Sequence, residues 1–322
     1  LLFLLCQHRF FFQQTCLLLG SCSFELVCIF LIPNIFDCEI VLKVETMNPV
    51  RSFKGRGTDT VIARLLQDKH NPAQSVVCAS AGNLGQALAY SGNRHNIPVT
   101  IVAAMTVNPL KLERMKAFGA TIQLVGQDIE DARIAAREIA QAEGVHLVED
   151  SLDIATCEGA GTIGLELLEL PEKLDAVLIA LGGGAMASGI GQVMKSLAPE
   201  VEIIAIQPEE APAMTLSWRK REVVNTETTN TIADGVAGRF PIPEVLEDIL
   251  TLVDDVVLVR ERSIIEGMRF LYQHAGLIVE PSAALGIATI LENKDRFQGK
   301  RVATILCGSN VTLDDFENWV SS

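Results

Sequence analysis

The amino-acid sequence predicts an α/β fold built from parallel sheets covered by helices. Short apolar runs of strand length alternate with helix-length segments from residue 39 onward, and several strands lead into loops of small residues that open a helix. Alternation of this kind is typical of parallel sheets with helices on their faces. The length of 322 residues suggests two domains or one large α/β unit.

The individual elements follow from local patterns. The predicted strands are residues 75–79, 99–103, 121–125, 145–148, 176–181, 202–206, 252–259 and 302–306. The predicted helices are residues 84–94, 109–118, 129–142, 156–169, 187–197, 263–274 and 283–292. Pro109 suits a first helical turn and Gly119 suits a helix end. The irregular stretch 222–243 predicts a surface loop near the functional site.

Composition narrows the function classes. Hydrophobic residues make up 49% and charged residues 20% of the chain, which indicates a globular protein. A net charge of -14 repels phosphate backbones, so nucleic acid is not expected as a partner. A membrane is not expected as a partner either. The eight cysteines show no regular spacing and no CxxC pair, which argues against zinc and disulfides. We therefore expect a reduced, cytoplasmic protein.

Residues 1–38 differ in composition from everything after them. They are rich in Leu, Phe and Cys, and Glu25 interrupts their best apolar run. We interpret this segment as non-native or mis-assigned sequence, because no helix or strand periodicity is evident in it. A membrane anchor and a genuine domain segment stay open as alternatives.

Ligands of parallel α/β folds bind in the loops at the carboxyl ends of strands, and two such loops have suitable chemistry. Residues 80–85, Ser-Ala-Gly-Asn-Leu-Gly, follow one strand, and residues 182–189 follow another with three consecutive glycines. Exposed N–H groups at a helix start bind carboxylate or phosphate. A simple helix cap is the alternative for the first loop. A dinucleotide-binding loop is the alternative for the second, but Ala187 breaks its glycine spacing.

Two further residues complete the candidate site. Lys54 lies among small residues and follows Phe53, although a lone lysine is usually a solvated surface group. Partial desolvation favours the neutral amine that a Schiff base requires. Cys307 begins the turn Cys-Gly-Ser-Asn after the last predicted strand, where a buried cysteine would otherwise act as a small apolar residue.

Together and in this order, these motifs resemble the fold type II pyridoxal 5'-phosphate (PLP) enzymes, within them the threonine/serine dehydratase branch that also holds serine racemase. The resemblance covers roughly residues 40–320. It implies two open parallel-sheet domains with helices on both faces, like the tryptophan synthase β subunit. Residues 39–72 and 153–322 would form the large PLP-binding domain and residues 73–152 the small domain. The family also implies a homo-oligomer.

The resemblance implies a role for each cofactor residue. Ser52-Phe53-Lys54 matches the family's S-F-K motif, so Lys54 would hold PLP as a Schiff base and Phe53 would pack beside the ring. The phosphate would bind a loop whose residues are Gly182, Gly183, Gly184 and Ala185. Cys307 aligns with the usual Ser beside the pyridine nitrogen.

The resemblance also implies a substrate loop. Ser80, Ala81, Gly82 and Asn83 match the family's S-x-G-N motif, whose amides bind the substrate carboxylate and whose Asn contacts the ring oxygen. Leu84 departs from the His often found there. The stretches 231–235 and 280–283 match two further family motifs, T-I-A-D-G and E-P-[ST]-[AG].

The implied activity is the removal of water and ammonia from L-threonine or L-serine, which leaves a 2-keto acid. Lys54 would take the α-proton, and the cofactor phosphate is the nearest acid for the departing hydroxyl. No metal is expected, because Gln207 and Ala213 stand where serine racemase relatives have carboxylates. Alternatives are β-replacement of the cysteine synthase type, a catalytically impaired PLP-binding homologue, and an NAD-dependent enzyme.

Overall fold

Ten strands form two sheets in the computed structural model, which describes residues 28–35, 37–68 and 75–321. The larger sheet has the order β1-β2-β10-β7-β8-β9 and the smaller sheet the order β5-β4-β3-β6. The strands are β1 Cys28–Ile35, β2 Cys38–Val44, β3 Val76–Ala79, β4 Val99–Ala103, β5 Thr121–Leu124, β6 His146–Leu147, β7 Ala176–Ala180, β8 Glu202–Pro208, β9 Asp255–Val259 and β10 Arg301–Leu306.

Twelve α-helices connect and cover these strands within the described ranges. They are α1 Lys54–Gln67, α2 Asn83–Arg94, α3 Pro109–Ala117, α4 Ile129–Glu143, α5 Ile154–Leu167, α6 Ala185–Leu197, α7 Ala213–Lys220, α8 Pro243–Leu252, α9 Glu261–Ala275, α10 Leu285–Glu292, α11 Lys294–Phe297 and α12 Leu313–Ser321. Short 3₁₀ turns cover Asp234–Val236 and Pro281–Ala284. None of these helices is long and apolar enough to cross a membrane, within the residues that the structure describes.

The central strands of the larger sheet are buried because helices pack on both faces. Every residue of β10 is buried, and β10 pairs in parallel with β2 on one side and β7 on the other. A near-continuous apolar run such as Val302–Leu306 is the sequence signature of such a strand. The prediction of an α/β fold with parallel sheets is confirmed.

The strand β1 is an exception to the predicted pattern. It pairs antiparallel with β2 at the edge of the larger sheet, with Leu31 opposite Val41. The sequence analysis found no strand periodicity in residues 1–38. The strand contains Pro33, which an edge strand tolerates because one of its sides makes no ladder bonds. The interpretation of residues 1–38 as non-native stays a prediction, because residues 1–27 and 36 lie outside the described part.

Helix α1 depends on close packing rather than on helix propensity. A Cβ atom at Gly57 would lie 2.9 Å from the backbone oxygen of Thr156 in α5, and one at Gly159 would collide with the backbone of Arg56. The two helices therefore approach each other at glycines. The sequence analysis missed α1 for this reason, because glycines in a first turn argue against a helix.

Several predicted boundaries were wrong, among them the start of one strand and the start of one helix. Residue 252 was assigned to a strand, but Leu252 ends α8 and β9 begins at Asp255. Helix α6 begins at Ala185 rather than at residue 187, so the glycine-rich loop leads directly into its first turn. The boundaries proposed for the two domains stay a prediction; the smaller sheet uses only strands between residues 76 and 147.

Candidate active site

The candidate lysine lies where two loops of the larger sheet meet. Lys54 is the first residue of α1, and the amide of Phe53 donates to the carbonyl oxygen of Cys307 at 2.9 Å. Ser52 and Gly308 form an antiparallel bridge beside it. These backbone contacts place the lysine next to the loop that follows β10.

The side chain of Lys54 points to a carboxylate that the sequence analysis missed. Its Nζ lies 2.5 Å from Oδ2 of Asp150, and the two side chains are only 17% and 21% exposed. The Phe53 ring lies beside the amine, with its centroid 4.7 Å from Nζ. Asp150 follows β6, so the smaller sheet contributes a charged group to the lysine.

The glycine-rich loop connects β7 to α6 and suits an anion. Gly184 has φ +104°, a left-handed conformation that favours glycine, and a side chain there would also collide with Val245. A Cβ atom at Gly182 would lie 2.8 Å from the carbonyl oxygen of Gly235. The loop amides and the start of α6 at Ala185 therefore form a helix N-terminus of the kind that binds phosphate.

The loop of residues 80–83 connects β3 to α2 and is held by its own serine. Oγ of Ser80 accepts hydrogen bonds from the amides of Gly82 at 3.1 Å and Gly85 at 2.9 Å. Ala81 is exposed at the tip of the loop, and α2 begins at Asn83. The serine hydroxyl therefore shapes the loop.

The side chain of Asn83 is fixed from two directions. Its Nδ2 donates to Oε1 of Glu280 at 2.9 Å, and its Oδ1 accepts from Nδ2 of Asn310 at 2.7 Å. Glu280 is buried, and burial raises the pKa of its carboxyl above the usual range. The motif that contains Glu280 was recognised from sequence, but its contact with Asn83 was not.

A lysine reaches the same loop from the smaller sheet's side. Nζ of Lys111 pairs with the carboxylate of Asp234 and lies 3.4 Å from the position that a Cβ atom would take at Gly82. Lys111 is buried although it is a lysine. Asp234 belongs to the T-I-A-D-G stretch, so Lys111 connects this motif to the loop of residues 80–83. No signal in the sequence distinguished Lys111 from a surface lysine.

Cys307 presents a neutral thiol to the site. The residue is 5% exposed, and burial raises the pKa of its thiol far above the usual range, with a further contribution from Glu280. An uncharged neighbour suits a pyridine nitrogen that carries no proton. The four cysteines Cys38, Cys78, Cys157 and Cys307 are all free and buried within the described residues.

These residues fit pyridoxal phosphate. An accessible lysine, a glycine cradle at a helix start and a neutral buried thiol supply the contacts for its aldehyde, phosphate and ring nitrogen. In the described part of the chain, the buried hydroxyl of Ser188, in the first turn of α6, has no hydrogen-bond partner. A donor left free next to the glycine-rich loop is consistent with a phosphate there.

The fold and this site define a class of protein. The family of pyridoxal-phosphate dependent enzymes matches residues 28–308. The chain belongs to this family and is a PLP-dependent enzyme.

Individual relatives show which members of this family the chain is similar to. The chain is 34% identical to an L-threonine ammonia-lyase of Thermotoga maritima over 276 residues, which cover 86% of this chain and 68% of the relative. It resembles the structure of maize serine racemase with a TM-score of 0.85 and 27% identity, covering 91% and 90% of the two chains. It resembles the processed form of threonine deaminase isoform 2 from Solanum lycopersicum with a TM-score of 0.83 and 28% identity, covering 89% and 79%.

Within the described residues, no group of three or more His, Cys, Asp or Glu side chains is arranged to hold a metal ion. Oε1 of Gln207 instead accepts hydrogen bonds from the amide and the hydroxyl of Thr215, at 2.8 and 3.0 Å. Gln207 therefore fixes the start of α7. The absence of a metal requirement stays a prediction.

Proposed function

We propose that this chain is a threonine/serine ammonia-lyase, which eliminates water and then ammonia from L-threonine or L-serine to give a 2-keto acid. The observation that carries the proposal is the position of the Lys54 amine, which lies between the end of β10 and the end of β6. The relatives named above, an ammonia-lyase and a deaminase of threonine, support this choice of reaction.

The cofactor, when bound, supplies the sink for the electrons released at the α-carbon. The amides of Gly182, Gly183, Gly184 and Ala185 would hold its phosphate, and Phe53 would pack against its ring. Lys54 would hold the cofactor before the substrate arrives, and its freed amine would then remove the α-proton as a general base.

The residues of the substrate loop bind and orient the amino acid. The amides of Ser80, Ala81, Gly82 and Asn83 bind its carboxylate at the start of α2, where the helix dipole favours negative charge. Asn83, which is held in place by Glu280, would in addition contact the ring oxygen of the cofactor. The serine hydroxyl is already engaged within the loop, so its amides carry the binding.

The neutral thiol of Cys307 favours elimination over reactions that need a longer-lived negative charge at the α-carbon. A thiol cannot hold the ring nitrogen protonated as a carboxylate would, so negative charge at the α-carbon is less stabilised. A β-hydroxyl that leaves promptly then competes well against reprotonation.

The test is a visible spectrum of the purified holoenzyme before and after L-serine or L-threonine, beside an assay for keto acid and ammonia. We expect the absorbance of the lysine-bound cofactor to change on mixing, and pyruvate or 2-oxobutyrate to accumulate. A cofactor band that persists without turnover would show an impaired homologue and contradict the proposal.

We also propose that the protein works as a homo-oligomer in the cytoplasm on small amino acids. The free, buried cysteines named above suit a reducing compartment, and oligomers are the tendency of the family. Size-exclusion chromatography with light scattering should give a mass of at least two chains. A monomer that retains full activity would contradict the oligomer.

A further inference from the structure

Asp150 is a second ionisable group at the Lys54 amine, and the mechanism above does not use it. Its Oδ2 lies 2.5 Å from Nζ of Lys54, and both side chains are mostly buried. The two residues are 96 positions apart in the chain, so only the fold brings them together. A carboxylate at this distance from the general base is placed to exchange a proton with it.

The backbone around Asp150 fixes its direction at a conformational cost. The next residue, Ser151, has φ +71°, a left-handed conformation that serine rarely adopts. Its amide donates to Oγ1 of Thr156 at 3.0 Å, and its hydroxyl donates to the carbonyl oxygen of Gly183 at 2.6 Å. Two contacts from different elements therefore hold a strained turn that aims Asp150 at the lysine.

The glycine-rich loop leaves room for this carboxylate. A Cβ atom at Gly183 would lie 2.7 Å from Oδ2 of Asp150, so a side chain there would displace the carboxylate from this position. The carboxylate is therefore located between the lysine and the loop that fits a phosphate. The leaving group of the proposed reaction departs from the same region, since the cofactor phosphate is the acid that the family resemblance suggests.

One oxygen of the carboxylate is free to meet a ligand. Oδ1 of Asp150 is buried and has no hydrogen-bond partner among the residues that the structure describes. A buried acceptor without a donor is costly, and in native proteins it commonly faces a ligand or water. A β-hydroxyl of the substrate is a donor of the right kind.

We propose that Asp150 is a catalytic acid–base residue that binds the β-hydroxyl of the substrate and protonates it as it leaves. This inference rests on the proposed function, because it concerns the departure of a hydroxyl group. It adds a protein group to the acid that the cofactor phosphate would provide.

The proton balance closes over one elimination. Lys54 Nζ takes the α-proton, and the C–H electron pair goes to the α-carbon. The Lys54 ammonium gives this proton to the Asp150 carboxylate, which passes it to the β-hydroxyl. The Cβ–O bond breaks, its electron pair leaves with the oxygen as water, and the electrons from the α-carbon form the Cα–Cβ double bond. Lys54 and Asp150 end in their starting states.

The test compares two leaving groups in the holoenzyme. Chloride needs no proton to depart, so β-chloro-L-alanine does not require an acid, whereas L-serine does. We expect Asp150→Asn to lower kcat on L-serine by about 10²- to 10⁴-fold, the usual contribution of a general acid. Elimination from β-chloro-L-alanine should fall far less.

A binding measurement and a neighbouring variant control for structural effects. The affinity for PLP is measured by titrating the cofactor-free protein and following visible absorbance. Asp150→Asn should bind PLP as tightly as the wild type or more tightly, because a negative charge near the phosphate loop is removed. Glu149→Gln changes the adjacent carboxylate, which pairs with Arg137 away from the lysine, and should alter neither substrate's kcat.

Three outcomes would overturn the proposal. Equal losses on both substrates would show that Asp150 acts on Lys54 rather than on the leaving group. Weaker PLP binding would show that it seats the cofactor. A wild-type enzyme that eliminates chloride but leaves both L-serine and L-threonine intact would contradict the proposed function itself, and with it the role of Asp150.

Discussion

The cofactor side and the substrate side of the site are held together by different kinds of contact. On the cofactor side, backbone groups join the loops: Phe53 N donates to Cys307 O at 2.9 Å, and Ser309 N donates to Arg51 O at 2.9 Å. On the substrate side, side chains make the contacts, among them Asn83 with Glu280 and with Asn310.

This difference indicates which half of the site can lose its contacts through single substitutions. Backbone hydrogen bonds between loops persist through most substitutions, so the lysine stays in place over a wide range of sequences. The side-chain contacts that join the substrate loop to the larger sheet can be lost one at a time. We therefore expect single substitutions to tune substrate handling more readily than cofactor geometry.

The largest effect is expected on the cofactor side, when Lys54 is removed. Lys54→Ala should abolish the absorbance of the lysine-bound cofactor and all elimination activity, because the variant lacks both the amine that binds PLP and the general base. Visible spectra and a keto-acid assay measure the two effects. Turnover near the wild-type rate would mean that another lysine serves the reaction.

The substrate side should determine whether the enzyme racemises its amino-acid substrate. Racemisation needs a second acid that returns a proton to the face opposite the lysine, and Ala81, just before the Gly-Asn pair, has no proton to give. We expect very little D-serine from the wild type. Ala81→Ser should raise D-serine formation measurably, since acid–base assistance is typically worth about 10²- to 10⁴-fold, while elimination persists.

Chiral chromatography beside the keto-acid assay decides this prediction. The exposed position of Ala81 makes a serine hydroxyl easy to accommodate. D-serine that forms faster than pyruvate in the unmutated protein would refute the assignment as a lyase.

Replacing Lys111 tests the side-chain contacts of the substrate side and should have a smaller effect. Lys111→Met removes its pairing with Asp234 while it retains most of the apolar volume. We expect a higher KM for the amino acid with the cofactor absorbance unchanged, because the charge near Gly82 is lost and the lysine of the cofactor side is not touched. Lys116→Met, on the exposed part of α3, is the control. A loss of PLP with no change in KM would contradict this expectation, because it would place Lys111 on the cofactor side of the site.

The smallest predicted effect is a change in the pH dependence of stability when Glu280 is replaced by glutamine. Burial raises the pKa of this carboxyl, so the folded state favours its protonated form. That contribution to stability is fully present below its unfolded pKa of about 4.3 and is lost as the pH rises through the raised value. Glu280→Gln cannot ionise, so its Tm relative to wild type should increase between pH 4 and pH 8. A difference that stays constant with pH would contradict the expectation.

The sequence was sufficient where local pattern decides the structure. The loops that begin at Ser80 and Gly182 were located because each follows an apolar strand and opens a helix. Lys54 and Cys307 needed more than spacing, and only the combined resemblance to a family marked them. Ala185, which stands where a fourth glycine is usual, begins α6, and its role in binding phosphate stays a prediction.

The rest depended on contacts between distant residues. Asp150 reaches Lys54 through a strained turn at Ser151, and no local pattern predicts a left-handed serine. Helix α1 was missed because its glycines are required by α5 rather than by its own backbone. Lys111 resembled a surface lysine, since its partner Asp234 lies 123 residues further along the chain.

The glycine contact between α1 and α5 has a consequence for how this chain can be rebuilt. The chain leaves the larger sheet through α1 and returns through α5, and the two helices touch at Gly57 and Gly159. The intervening segment thus starts and ends at neighbouring points, the arrangement in which domain insertions are tolerated. It carries residues 80–83, to which we assign the substrate carboxylate, and Asp150, but not Lys54. Exchanging this segment between relatives should therefore change substrate preference while Lys54 and its surroundings in the larger sheet stay the same.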